Sequence, residues 1–163
     1  MSIKNIIWDW NGTIVDDAWV FVDVMNNMLK KNNLPPTTLK HYRKKFCFPI
    51  QDYWRGLGFQ FTEGDFDYLN GNFISEYQKK MFLPHIHGGL RTLFGVLNKH
   101  NITQFILSAS ESVLLQRSVN YYQLNSFFRG VYGVNNLNAR GKGAAGLTLL
   151  SEHGLSPKET LLI

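Results

Sequence analysis

Apolar residues follow two rhythms along this chain, and the switch between them lays out the elements. Short runs rich in β-branched and apolar residues at 3–8, 102–107 and 160–163, with a shorter one at Gly130–Val134, read as strands buried on both faces, the pattern of a parallel sheet. Between the first and second runs the apolar positions recur at helical spacing instead. Val22, Met25 and Leu29 mark one face over 17–33, with Asp16 or Asp17 as the cap and Asn33-Leu34-Pro35-Pro36 as the stop. Thr37 and Thr38 are placed to cap a helix over 39–46. Pro49 opens a short one ending at Gly56 or Gly58, and Thr62-Glu63-Gly64-Asp65 starts another that runs toward Met81. No segment from 37 to 81 reads as a strand. Leu90, Leu93, Phe94 and Leu97 stand at i, i+3, i+4 and i+7, an amphipathic helix closing at His100-Asn101. Leu115, Val119 and Tyr122 form the face of the next helix. Gly141-Lys142-Gly143 opens a further helix that ends at Gly154, and Ser156-Pro157-Lys158-Glu159 has the form of a capping box with proline at the first helical position.

This order predicts an α/β fold: a Rossmann-like parallel sheet flanked by helices, interrupted by an inserted all-helical cap subdomain. The expected division is a discontinuous core from 1–16 and 84–163 and a helical insertion from 17–83. Neither internal repeats nor low-complexity segments appear.

Composition narrows the class. Of 163 residues, 44% are hydrophobic and 18% charged, an ordinary globular balance. No apolar run approaches the roughly 18 residues that a membrane span needs. The chain enters a strand almost at once, which leaves no room for a signal peptide. Cys47 is the single cysteine, so no intrachain disulfide forms and a reducing cytoplasm fits; it is expected to be buried in the helical insertion. The net charge is +5, from 17 Lys and Arg against 12 Asp and Glu. The basic residues are spread out, and the densest cluster (His41, Arg43, Lys44, Lys45) is short. That distribution suits the surface field of a protein with a small anionic substrate better than a nucleic-acid interface.

Three strand ends carry groups with chemistry in them. The first run closes on Asp9-Trp10-Asn11-Gly12-Thr13, the second on Ser108-Ala109-Ser110, and Lys142 follows the third. In a parallel sheet these ends share one edge, where open α/β sheets keep their ligands. Gly12 permits a sharp turn that brings the N–H groups of Asn11, Gly12 and Thr13 toward an anion. A carboxylate beside a phosphate cradle repels phosphate, so Asp9 makes sense as a nucleophile with a cation between the two. His85 and His87, flanked by Pro84 and Gly88, read as hinge residues rather than metal ligands. Trp19, Tyr42, Phe46, Phe48, Tyr53 and Trp54 read mainly as packing inside the insertion.

Asp9-Trp10-Asn11-Gly12-Thr13 resembles motif I of the haloacid dehalogenase-like (HAD) superfamily, Asp-x-Asp-Gly-Thr. Ser108 matches motif II and Lys142 motif III. The likeness covers most of the chain and is nearest to the phosphoglycolate-phosphatase-like branch, whose helical cap lies between motifs I and II. The resemblance implies a magnesium-dependent phosphatase acting on a small phosphate monoester through an aspartyl-phosphate. Asp9 would be the nucleophile. Gly12, Thr13, Ser108, Ala109 and Lys142 would bind phosphate, and Asp9 with the backbone carbonyl of Asn11 would hold Mg2+.

Two departures from the motif set bear on this. Asn11 stands where the family has its second aspartate, the group that protonates the leaving group and activates water. An amide cannot exchange that proton, and such help is worth roughly 10²–10⁴-fold. The acidic motif IV, expected just after Thr160-Leu161-Leu162-Ile163, is absent, which reads as a chain that stops short of it. Two alternatives therefore stand beside the phosphatase: a non-catalytic HAD-like module that holds phosphate or a phospho-ligand, and a phosphonate hydrolase using a lysine of the insertion such as Lys30, Lys31, Lys44 or Lys45.

Overall fold

The computed structural model describes residues 2–134 and 142–163. Strands β1 (Asn5–Trp8), β2 (Thr103–Glu111), β3 (Gly130–Val134) and β4 (Thr160–Leu162) form one parallel sheet in the order β3-β2-β1-β4. Ile7 of β1 lies opposite Phe105 of β2 and Leu162 of β4. Strand alternation sorts the apolar residues onto two faces. Ile6, Trp8 and Ile106 pack with Phe94 of α5 (Leu90–Lys99) and with Leu115 and Val119 of α6 (Ser112–Tyr121). Ile7, Phe105 and Leu107 pack with Leu149 of α7 (Gly143–Glu152) on the other side. Gln104 is buried among the apolar residues because all its polar atoms are paired: it accepts from the Trp8 indole at 3.1 Å and donates to the Phe94 carbonyl at 2.9 Å and to Asn98 at 2.7 Å. That network fixes α5 against the sheet.

The intervening stretch is helical throughout: α1 (Ala18–Lys31), α2 (Leu39–Lys45), α3 (Ile50–Gly56) and α4 (Glu63–Gln78). These helices enclose their own core around Met25, Leu29, Trp54, Phe66 and Phe73. Thr38 caps α2 by accepting from the His41 N–H, and Thr62 with Asp65 closes a reciprocal capping box on α4. The chain divides into two compact units. One takes in the described residues of 2–16, 85–134 and 142–163, and the other those of 17–84.

Several local expectations are corrected. β2 does not stop at Leu107: Ser108, Ala109 and Ser110 continue the strand, with a slip in register against β3 between Leu107 and Glu111. Ser156 makes no capping bond; Pro157–Glu159 is a single 3₁₀ turn, and Glu159 pairs with Lys4 at 2.7 Å instead. Asp17 does not cap α1 with its side chain, since its carboxylate accepts from the Tyr77 hydroxyl. Cys47 and Trp19 are exposed, and Phe48 is exposed on one side while its ring meets that of Phe46 edge-on at 5.3 Å. Leu93 lies at the exposed edge of the α5 stripe. Gly141 lies outside the described residues.

Candidate active site

The site is built on the C-terminal rim of the sheet. β1 ends at Trp8, and the Asp9 N–H donates to the Ile163 carbonyl at 2.8 Å, which keeps Asp9 in line with the strand. The chain then turns tightly. The Trp10 carbonyl accepts from the N–H groups of Ile14 at 3.0 Å and Val15 at 3.1 Å, and Gly12 adopts φ 74°, a left-handed conformation that suits glycine. Val15 bridges back to Asn11 and across to Ile86. His87 braces the same turn: its N–H donates to the Ile14 carbonyl at 3.0 Å, and its Nε2 lies 3.3 Å from the Gly12 carbonyl. His85 lies beside it, its carbonyl accepting from the Asp16 N–H at 3.0 Å.

One sequence expectation changes here. The Gly12 N–H, expected to face an anion, donates to the Val15 carbonyl at 2.8 Å, and the Thr13 N–H points to the Trp10 carbonyl at 3.3 Å. The turn uses these donors to hold its own shape, so Gly12 and Thr13 form the rim rather than a free backbone cradle.

Side chains converge on that rim from three strand ends. Lys142, at the entry to α7, places Nζ 2.6 Å from Asp9 Oδ1 and 3.3 Å from the Leu107 carbonyl. Asp9 Oδ1 also accepts from the Trp10 N–H at 2.9 Å. Ser108 is buried; its hydroxyl donates to Asn11 Oδ1 at 3.3 Å and accepts from the Ser110 N–H at 3.0 Å. The Ser110 hydroxyl donates to the same Asn11 oxygen at 2.7 Å. Ala109, between them, is half-buried on the alternate side of the strand. Asp9, Asn11, Ser108 and Lys142 are thus brought together as the motif order suggests. Ser110 is an addition that motif reasoning missed. Its placement follows from the continued strand, in which i and i+2 share a face, so Ser110 stands beside Ser108.

Partly exposed ion pairs are worth roughly 0–1 kcal/mol. With a quarter to a third of each side chain exposed, the Asp9–Lys142 pair matters more for the charge it presents than for folding. It puts a carboxylate and an ammonium at one point, with hydroxyls alongside.

Magnesium takes hard oxygen ligands, and this rim offers two of them. The groups named for it, the Asp9 carboxylate and the Asn11 backbone carbonyl, are both oxygens, and Asp9 Oδ1 is paired with Lys142. Among the described residues no group of three His, Cys, Asp or Glu side chains is placed to hold a metal ion. Mg2+ usually keeps several waters and is bound through one or two carboxylates plus substrate phosphate oxygens, so Asp9 and the Asn11 carbonyl would form the protein side of such a site, where the ion would screen carboxylate from phosphate. Among the described residues, too, no helix is long and apolar enough to cross a membrane.

Comparison with known proteins extends this picture. A family model described as haloacid dehalogenase-like hydrolase matches residues 6–163. No curated protein matches the chain. Among solved structures, a haloacid dehalogenase-like family hydrolase from Streptococcus pneumoniae is similar with a TM-score of 0.80 at 18% identity, over 98% of this chain and 74% of that one. A HAD hydrolase of family IA, variant 3, from Entamoeba histolytica gives 0.78 at 17%, over 99% and 74%. A protein of Haemophilus somnus described as a predicted phosphoglycolate phosphatase gives 0.75 at 17%, over 99% and 76%. At these identities the structures share the fold.

Proposed function

This chain belongs to the haloacid dehalogenase-like hydrolase family, and from that premise we propose that it hydrolyses a small phosphate monoester with Asp9 as the nucleophile. The observation that carries the reading is the 2.6 Å contact of Lys142 Nζ with Asp9 Oδ1, on the rim that also holds Ser108. Asp9 attacks phosphorus in line, the bond from phosphorus to the leaving oxygen breaks, and an aspartyl-phosphate forms. Lys142 offsets charge on the transferring group as it moves, and the Ser108 hydroxyl orients one of its oxygens. Water then releases phosphate and restores the carboxylate. Asn11 holds its place through Ser108 and Ser110 but moves no proton, so turnover is slow with poor leaving groups and fastest with an activated one such as an aryl phosphate.

A second reading has its own support. The Asn11 carbonyl oxygen is engaged by two hydroxyls, an arrangement that orders the rim without supplying an acid. It favours a module that binds phosphate or a phospho-ligand without turning it over. One experiment separates them. Phosphate release from an aryl phosphate is measured beside inorganic phosphate binding, for the native chain and for Asp9→Asn. Release that falls on the order of 10⁴-fold or more in the variant is the expected result for a nucleophile. Binding with no release in the native chain establishes the module, and full release by the variant removes the nucleophile assignment.

A further inference from the structure

The sequence contains two Asn-Gly dipeptides, Asn11-Gly12 and Asn70-Gly71. In such a pair the glycine nitrogen can attack the preceding side-chain amide with no Cβ in the way. The structure separates the two. Asn70 is buried inside α4, and Gly71 continues the same helix. Ring closure there requires leaving helical geometry in mid-helix. Asn11 sits in a non-helical turn and is half-exposed, and the exposed Gly12 that follows has open space where a side chain would stand. Asn11 Oδ1 also accepts from Ser110 at 2.7 Å and Ser108 at 3.3 Å. Two donors on that oxygen draw electron density from Cγ and stabilise the oxyanion that forms when Cγ is attacked.

We propose that Asn11 is a self-modification site, at which the Gly12 nitrogen converts the amide into a carboxylate. The Gly12 N–H first releases the Val15 carbonyl, its partner at 2.8 Å, and that opening sets the pace. The nitrogen lone pair then forms a bond to Asn11 Cγ, the Cγ–Nδ2 bond breaks, and the Gly12 amide proton leaves with Nδ2 as ammonia. Water opens the cyclic imide. Attack at Cγ gives aspartate with the backbone intact; attack at the main-chain carbonyl carbon gives isoaspartate. One water is consumed and one ammonia released, with no oxidant or reductant. The functional consequence rests on the phosphatase reading: a carboxylate at position 11 exchanges a proton where the amide does not. The freshly made chain is then the slow form, and the aspartate product the faster one.

The test follows each site by peptide mass during prolonged incubation of the folded protein at neutral pH, with isoaspartate detected by enzymatic methyl transfer. Asn11 is expected to convert about tenfold or more faster than Asn70, and Ser110→Ala to slow Asn11 about tenfold, as loss of a hydrogen bond to the reacting oxygen requires. Conversion of Asn11 no faster than Asn70 overturns the proposal. Conversion in Ser110→Ala at the native rate overturns the role given to the hydroxyl. Phosphate release by Asn11→Asp is measured separately with an alkyl phosphate, whose poor leaving group needs a proton donor. If Asn11 converts while Asn11→Asp releases no more phosphate than the native chain, the modification stands and the gain in turnover assigned to it falls; the phosphatase reading itself falls only if neither chain releases phosphate.

Discussion

The helical unit and the sheet unit use their polar side chains for different ends. In the helical unit they close helix termini and tie neighbouring segments. Thr38 and Thr62 cap, the Asn26 side chain bonds both the N–H and the carbonyl of Thr37, and Lys80 pairs with Asp23. Its large rings fill a core of their own, with Phe21 lying 4.6 Å from Tyr42 and 4.8 Å from Phe73 between centroids. In the sheet unit the polar groups at the strand ends bond chiefly to one another: Lys142 to Asp9, and Ser108 and Ser110 to Asn11. Side chains that satisfy a backbone end explain themselves as structure. Side chains remote in sequence that satisfy each other can exchange those partners for a ligand, and that contrast is why the proposed chemistry is assigned to this rim.

Removing a ring from the helical core gives the largest change in stability. Trp54 is fully buried, and its indole N–H has no acceptor among the described residues, so the loss in Trp54→Ala is one of packing. The expected cost is about 3–5 kcal/mol, read from denaturant midpoints and from the near-UV signal of the ring cluster. No residue of that cluster contributes to the Asp9–Lys142 rim. Phosphate binding, measured well below the transition, is therefore expected to persist; its loss would merge the two roles that the comparison holds apart.

A smaller effect is expected from Gly133→Ala in β3. A Cβ there would lie 2.7 Å from the Ser110 carbonyl oxygen and 2.7 Å from Ser112 Cα, both backbone atoms. The strand must shift to admit it, at about 1–3 kcal/mol. Because the shift moves Ser110, phosphate binding is expected to weaken along with stability. An unchanged affinity at reduced stability would detach Ser110 from the site.

Much of this architecture was legible along the chain, for reasons that can be named. β3 runs over the segment its apolar pattern marked, and α4 begins at its Thr62–Asp65 box because both halves of that signal are local. The end of β2 was hidden because Ser-Ala-Ser has the composition of a turn; what frames it is pairing with β3 on either side, at Leu107 and Glu111, and the close approach at Gly133, neither visible locally. The Ser156 box failed for a similar reason, as Glu159 found Lys4 from the far end of the sequence. At the site, residue types and order brought forward Asp9, Ser108 and Lys142. The commitment of the Gly12 N–H to Val15 depended on turn geometry that residue identity does not encode.

The smallest expected effect tests whether a polar cluster in the sheet unit, away from Asp9, behaves as structure alone. Tyr132 of β3 donates to Glu152 at 2.8 Å and lies 2.8 Å from His153 Nε2, at the C-terminal end of α7. Burial first, and then the hydrogen bond and charge of Glu152, push its phenol from 10.0 up to about 12. The folded chain therefore keeps this proton after the unfolded chain has lost it. Stabilisation by the neutral phenol is complete below pH 10.0 and is lost as pH rises toward about 12. Against Tyr132→Phe, the native chain is expected to be more stable by about 0.5–1 kcal/mol below that window, since Glu152 is exposed and one hydrogen bond is at stake. Urea midpoints across the alkaline range should show the gap closing. A gap that holds constant through the window would mean that the phenol proton contributes nothing to anchoring α7, and a change in aryl phosphate release would place this cluster with the site instead of with the scaffold.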